Sequence, residues 1–176
     1  MKRILLASAA ILLVSAPVYS QSTSEKTGIN SLVGSAPSTE DFVMLAASSD
    51  MFEIDSSKLA LEKADPTTKS FAQQMITDHQ KTSEELKNLV TTKAIAVTIP
   101  AALSEDHQEM LDKLEGLQGE DFTKQYRSDQ EDVHEDAVDL FKRYAEEGDN
   151  ADLKTWAAST LPKLQHHLEM AEQLNE

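Results

Sequence analysis

Four polar side chains with the chemistry of metal ligands fall where helical spacing would place apolar core residues. They are Glu53, His79, His134 and His167. At about 100° of rotation per residue, Glu53 falls in the middle of the inward face of its helix. His79 and His167 lie on apolar stripes, and His134 lies at the flank of one. One carboxylate and three imidazoles form a nitrogen and oxygen set that suits a single transition-metal ion such as Fe, Mn, Zn or Cu.

The same four side chains fall at a similar level along the predicted helices. Glu53 and His79 lie 12 and 14 residues from the first predicted turn, at Asp65. His134 and His167 lie 15 and 18 residues from the second predicted turn. At a rise of 1.5 Å per residue, these separations correspond to about 18 to 27 Å. We therefore expect all four side chains near the middle of one bundle.

Two interpretations of this polar layer stay open. In the first, the layer binds one metal ion, in a process such as envelope stress or metal homeostasis. In the second, the protein is a non-catalytic structural or interaction module, in which a buried Glu hydrogen-bonded to imidazoles only fixes the packing of the helices. A standard di-iron centre is disfavoured, because that centre uses Glu-x-x-His on two helices and only Glu131-x-x-His134 matches. An enzyme with redox chemistry at the site is a third interpretation, although no catalytic residue is identified.

The composition excludes several other classes of site and partner. The chain has 176 residues and no cysteine, and its 31 acidic and 16 basic side chains give a formal charge of -15. Without cysteine there is no disulfide scaffold, zinc ribbon or iron-sulfur cluster. The acidic balance argues against a nucleic-acid partner, because phosphate contacts need clustered Lys and Arg. Few Gly and Pro residues, with many strong helix formers, favour an all-α protein; the sequence identifies no protein partner.

The first residues have the pattern of a secretory signal peptide. Lys2 and Arg3 precede an apolar stretch from Ile4 to Val14, and small residues lead to a cleavage position after Ser20. The apolar stretch has about eleven residues, whereas a membrane-spanning helix needs roughly 20. We therefore expect removal of residues 1–20, no integral membrane segment after processing, and a periplasmic or secreted protein. Residues 21–37 are expected to form a flexible tail, and residues 38–176 to form the domain.

Apolar residues at helical spacing predict four long helices and one short helix. The long helices are predicted at about 39–64, 66–93, 120–147 and 151–174, and the short helix at 104–116. Short turns make the first and last pairs antiparallel, but the 26 residues from Ala94 to Gly119 can cross the length of the bundle. The second and third long helices are then parallel, which gives a ferritin-like four-helix bundle with a long crossover that carries the short helix. His107 and His166 are expected to be solvated.

A group of short motifs carries a resemblance to a known family. They are Met75-Ile-Thr-Asp-His79, Asp121-Phe122 with Tyr126, Gln130-x-x-x-His134 and Leu161-Pro162-x-Leu164-x-x-His167-Leu168, spaced after Glu53-Ile54 and Leu59-Ala60. With these motifs the chain resembles the bacterial exported domain-of-unknown-function family four-one-four-two, often labelled as outer membrane protein and grouped with ferritin-like bundles. The resemblance covers about Thr39 to Leu174. It implies a ferritin-like fold and a location outside the cytoplasm, and places the four candidate ligands at the family's recurring polar positions.

Overall fold

The computed structural model describes Ser22 and residues 34–176. The predicted signal peptide and most of the predicted tail lie outside these residues. The end of the predicted tail contacts the bundle, because the Ser35 carbonyl accepts a hydrogen bond from Arg143 Nη1 at 2.7 Å and Pro37 is buried. The boundary between tail and domain stays a prediction.

Every regular element in the described part of the chain is an α-helix. The five helices are α1 (Thr39–Lys63), α2 (Pro66–Thr92), α3 (Glu105–Gly116), α4 (Gly119–Glu147) and α5 (Ala151–Asn175). The all-α prediction is therefore confirmed. No helix among these is both long and apolar enough to cross a membrane.

Side chains at the helix N-termini explain why the helices begin where they do. Ser38 accepts a hydrogen bond from the Asp41 backbone N–H, and Asp65 accepts bonds from the two N–H groups at the start of α2. Ser104 and Asn150 cap α3 and α5 in the same way. Each cap satisfies N–H groups that have no partner within the helix. The caps at Asp65 and Asn150 also keep the two interhelical turns short, so that α1–α2 and α4–α5 form hairpins.

Contacts between α2 and α4 show the direction in which the two hairpins meet. Near the start of both helices, Arg127 Nε donates to Thr68 Oγ1 at 2.9 Å. Further along both, the rings of His79 and His134 have centroids 5.6 Å apart. Because the contact partners advance together along the two chains, α2 and α4 run parallel. This is the direction that the long connection between them predicts.

The core consists of two apolar clusters with polar side chains between them. One cluster includes Phe42, Leu86, Phe141, Tyr144 and Trp156, and the other includes Phe52, Phe71, Met75, Phe122 and Tyr126. Each long helix contributes to both clusters. The buried polar residues around the boundary form what we call the central polar layer: Asp50, Glu53, His79, Thr82, Gln130, His134 and His167.

The expectation of a solvated His107 is wrong, whereas His166 is exposed as expected. His107 Nδ1 lies 2.7 Å from Ser48 Oγ, and its ring stacks on that of Phe52 with centroids 5.3 Å apart. The Ser48 hydroxyl also accepts the Ser104 N–H at 2.8 Å. The crossover therefore packs the beginning of α3 against α1, which the sequence pattern of α3 alone does not reveal.

Candidate metal centre

Three histidines from three different helices meet in the central polar layer. His79 comes from α2, His134 from α4 and His167 from α5, and each is at most 2% exposed. Their ring centroids are 5.4 to 5.6 Å apart. One ring nitrogen from each lies within 4.8 Å of one ring nitrogen of each of the others. The structure thus brings together three of the four predicted ligands at a spacing that one ion could bridge.

Each histidine has a hydrogen-bond acceptor at the other ring nitrogen. His79 Nδ1 donates to Asp50 Oδ1 at 2.7 Å. His134 Nδ1 donates to the backbone carbonyl of Gln130, also at 2.7 Å. Both acceptors are buried within the bundle, so the two rings are fixed without help from solvent.

The third histidine is held from the surface of the bundle. His167 Nε2 donates to Asp78 Oδ2 at 3.1 Å, and Lys163 Nζ contacts the other oxygen of Asp78 at 3.3 Å. The Asp78 side chain is 23% exposed. His167 is therefore oriented by a carboxylate whose charge is shared with a lysine and with solvent.

These acceptors determine which nitrogens carry protons. An ionised carboxylate or a backbone carbonyl can only accept a hydrogen bond, so the ring nitrogen that faces it must carry the hydrogen. In the neutral rings the lone pairs are then on Nε2 of His79, Nε2 of His134 and Nδ1 of His167. All three atoms are buried and have no hydrogen-bond partner among the residues that the structure describes. Metal-binding histidines show the same arrangement, with the second ring N–H donated to a carboxylate or carbonyl.

Glu53 lies beside His134 but is not part of the group of three nitrogens. Its side chain is fully buried, and Oε1 accepts a hydrogen bond from Gln130 Nε2 at 3.1 Å. The same oxygen is 3.9 Å from His134 Nδ1, and Oε2 has no hydrogen-bond partner in the described part of the chain. Burial raises the pKa of Glu53 to about 7, against the opposing effects of the His79 charge and the Gln130 hydrogen bond.

Burial also keeps two of the three imidazoles neutral. It lowers the pKa of His134 to about 3, assisted by the nearby charge of His79, and that of His167 to about 4 for the same two reasons. Burial acts to lower the pKa of His79 as well, but the hydrogen bond and charge of Asp50, together with the charges of Glu53 and Asp78, raise it above its ordinary value of 6.5. At neutral pH, His134 and His167 are therefore in the deprotonated form that a metal ion requires.

Sequence reasoning missed the residues that orient the histidines. Asp50 lies one turn before Glu53 on α1 and faces the same layer, a spacing that could have indicated it. Asp78 directly precedes His79, yet it contacts His167 of α5. The Gln130 carbonyl is four residues before His134, within the motif already noted.

Residues 25–174 match the family described as Domain of unknown function (DUF4142). No curated protein matches the sequence. Two solved structures share the fold, and both are of CopM.

The first of these is described as CopM in the Cu(II)-bound form. It has a TM-score of 0.64 and 19% sequence identity, over 78% of this chain and 95% of CopM. The second, CopM in the Cu(I)-bound form, has a TM-score of 0.62 and 17% identity, over 77% and 94% of the two chains. At this level of identity, the similarity establishes a shared fold.

Proposed function

Because the chain belongs to the family described as Domain of unknown function (DUF4142), we propose a function from the site itself: the protein binds one transition-metal ion in its central polar layer. The proposed ligands are Nε2 of His79, Nε2 of His134 and Nδ1 of His167. The proposed fourth ligand is the Glu53 carboxylate, whose Oε2 is buried and unpartnered. The main support for the proposal is the group of three neighbouring ring nitrogens, one from each histidine. In each ring, the other nitrogen donates to an acceptor, which leaves the lone pair on the nitrogen that faces the group.

A layer that served only to fix helix packing would satisfy these nitrogens differently. Buried polar atoms are almost always hydrogen-bonded, because an unpartnered atom costs about 1–3 kcal/mol. Here the outer nitrogens of the three rings are all bonded, and the three inner nitrogens are all unpartnered. Three neutral imidazoles with lone pairs facing one another cannot satisfy each other, whereas one cation satisfies all three.

Copper is the first metal to test. Imidazole ligands suit Cu, Zn, Fe and Ni, whereas Mn prefers sites rich in oxygen ligands. The two structures that share the fold are described as copper-bound, one with Cu(II) and one with Cu(I). Zn and Fe(II) are the next candidates, and Mn the last.

The proposed role is to hold metal outside the cytoplasm rather than to catalyse a reaction. The signal-peptide pattern of residues 1–20 supports an exported protein. The three histidines are at most 2% exposed, so they would shield a bound ion from solvent. We therefore propose a part in metal homeostasis or stress protection of the cell envelope.

The proposal is tested by metal titration of chelator-treated protein. We expect one equivalent of copper to bind, with Cu(I) measured anaerobically against a chromogenic chelator. A saturating ion should also raise the melting temperature, because it binds only the folded state. His79→Ala, His134→Ala and His167→Ala should each abolish stoichiometric binding. His166→Ala is the matched control, since that side chain is 62% exposed on the same helix as His167.

Two results would reject the metal site in favour of a structural layer. The first is the absence of binding tighter than about 10 μM, or −7 kcal/mol, for every metal tested. The second is a melting temperature that metal leaves unchanged, together with a Glu53→Leu variant that is as stable as the wild type or more stable. Apolar replacement of a buried polar cluster often has that effect.

A further inference from the structure

We infer that Asp50 positions His79 for metal binding, and that the buried charge of Asp50 makes the site favour a divalent over a monovalent ion. This inference rests on the proposed function. Asp50 Oδ1 accepts hydrogen bonds from His79 Nδ1 at 2.7 Å and from Thr82 Oγ1 at 2.8 Å. Its Oδ2 accepts from Ser83 Oγ at 3.2 Å. The carboxylate is thus held in place by two hydroxyls and directed at one imidazole.

Asp50 differs from the other two groups that orient the histidines. The Asp78 carboxylate is partly exposed and shares its charge with Lys163. The Gln130 carbonyl that holds His134 has no net charge. Asp50 is only 6% exposed, and its bonded partners are an imidazole and two neutral hydroxyls. It is therefore the most deeply buried negative charge that holds a proposed ligand.

The bond from His79 fixes both the orientation and the tautomer of that ring. Because the carboxylate only accepts, Nδ1 carries the hydrogen in the neutral His79 ring and Nε2 carries the lone pair. The ring cannot turn without the loss of a buried, charge-assisted bond, which is stronger than a neutral one. Asp50 thus aims Nε2 at the nitrogens of His134 and His167. The hydrogen bond also makes Nε2 more basic, and therefore a stronger ligand for a metal ion.

The charge of Asp50 acts on the ion through the ring that lies between them. Three neutral imidazoles bring no charge to the site, so only the surrounding carboxylates can offset the positive charge of a bound ion. The attraction between Asp50 and the ion is proportional to the charge of the ion, and burial weakens the screening of that attraction. Loss of this charge should therefore weaken the binding of Cu(II) more than that of Cu(I).

Asp50→Asn tests the charge while it keeps the shape and an acceptor oxygen. We expect Cu(II) affinity to fall by roughly 10- to 100-fold, the usual effect of altering a group that holds a ligand. Cu(I) affinity should fall less, so that the ratio of Cu(II) to Cu(I) affinity decreases. Asp55→Asn is the control, because Asp55 is an exposed carboxylate on the same helix, paired with Lys58. Equal losses for both ions would show that Asp50 positions His79 without any effect of its charge, and would overturn the charge preference. Unchanged affinity for both ions would overturn the positioning role as well.

A second measurement needs neither metal nor a variant. The ¹⁵N chemical shifts of the His79 ring are recorded in the metal-free wild type at the alkaline end of its titration. We expect a protonated Nδ1 and an unprotonated Nε2, the reverse arrangement to that of His167. A proton on His79 Nε2 would overturn the role of Asp50 whether or not metal binds. The expected tautomer in a protein that binds neither copper ion would instead reject the proposed function, and with it the charge preference.

Discussion

Nδ1 of His134 lies 2.7 Å from the carbonyl oxygen of Gln130, so the imidazole is oriented by the backbone of its own helix. The side chain of Gln130 has a different partner, because its Nε2 donates to Glu53 Oε1 at 3.1 Å. The backbone of Gln130 therefore accepts the hydrogen bond from His134, and its side chain donates to the buried carboxyl group of Glu53.

Gln130→Ala separates these two contacts. The change removes the donor to Glu53 and leaves both carboxyl oxygens without a partner, so the free energy of unfolding should fall by about 1–3 kcal/mol. His134 keeps its backbone acceptor, and one equivalent of copper should still bind. Urea unfolding in chelator and copper titration measure the two effects. A loss of stoichiometric binding would show that His134 depends on the Gln130 side chain.

Glu53→Gln tests the proposed fourth ligand. The substitution keeps the shape and the ability to accept from Gln130, but it removes the carboxylate charge. We expect copper affinity to fall at least tenfold, which corresponds to about 1.4 kcal/mol. Glu62→Gln, an exposed change on the same helix, serves as the control in the titration. Unchanged affinity would limit the ligands to the three histidines.

The helices could be predicted because the residues that begin and end them are local in sequence. Ser38, Asp65 and Asn150 each cap a helix within three residues of themselves. The long connection also predicts the parallel direction of α2 and α4, because chain length alone decides what such a segment can span. The environment of His107 could not be predicted in this way, since it depends on the path of the crossover over α1.

The difference between local sequence signals and packing between helices also explains which parts of the candidate site could be predicted. His79 and His167 lie on apolar stripes, so helical periodicity alone indicates that they are buried. The contacts of Asp50 and Asp78 depend on how neighbouring helices are rotated against one another. A sequence pattern along a single helix carries no information about that rotation. For the same reason, the sequence did not show that Glu53 Oε1 accepts a hydrogen bond from the Gln130 side chain.

Arg127 joins three parts of the bundle and should contribute to its stability. Its guanidinium donates to Thr68 Oγ1 at 2.9 Å, to Asp65 Oδ2 at 2.8 Å and to the Leu174 carbonyl at 2.6 Å. Arg127→Met keeps the aliphatic stem, and the free energy of unfolding should fall by about 1–3 kcal/mol. Hydrogen exchange at the end of α5 should become faster.

The matched control for Arg127 is Lys58→Met. Lys58 forms an ion pair with Asp55 at the surface, and both side chains are about half exposed or more. Exposed pairs of this kind contribute roughly 0–1 kcal/mol. If urea unfolding gives the same loss for both variants, the three contacts of Arg127 have no special part in holding the helices together.

His107 connects the crossover to α1 and should make the stability of the protein depend on pH. Burial lowers the pKa of His107 below its ordinary value of 6.5, although the charge of Asp106 acts in the opposite direction. The contact between His107 Nδ1 and Ser48 Oγ, at 2.7 Å, also acts to raise the pKa. Burial outweighs both of these opposing effects, so the folded state favours neutral His107.

The sign of the pH dependence follows from this lowered pKa. The unfolded chain binds a proton at His107 more readily than the folded protein does, so the contribution of His107 to stability is complete above pH 6.5 and declines as the pH falls below it. His107→Gln keeps an acceptor for Ser48 but cannot titrate. Urea unfolding of metal-free protein at pH 7.5 and pH 5 should therefore show a smaller acid-induced loss in His107→Gln than in the wild type. The exposed control His166→Gln should behave like the wild type, and an equal loss in all three proteins would contradict the prediction.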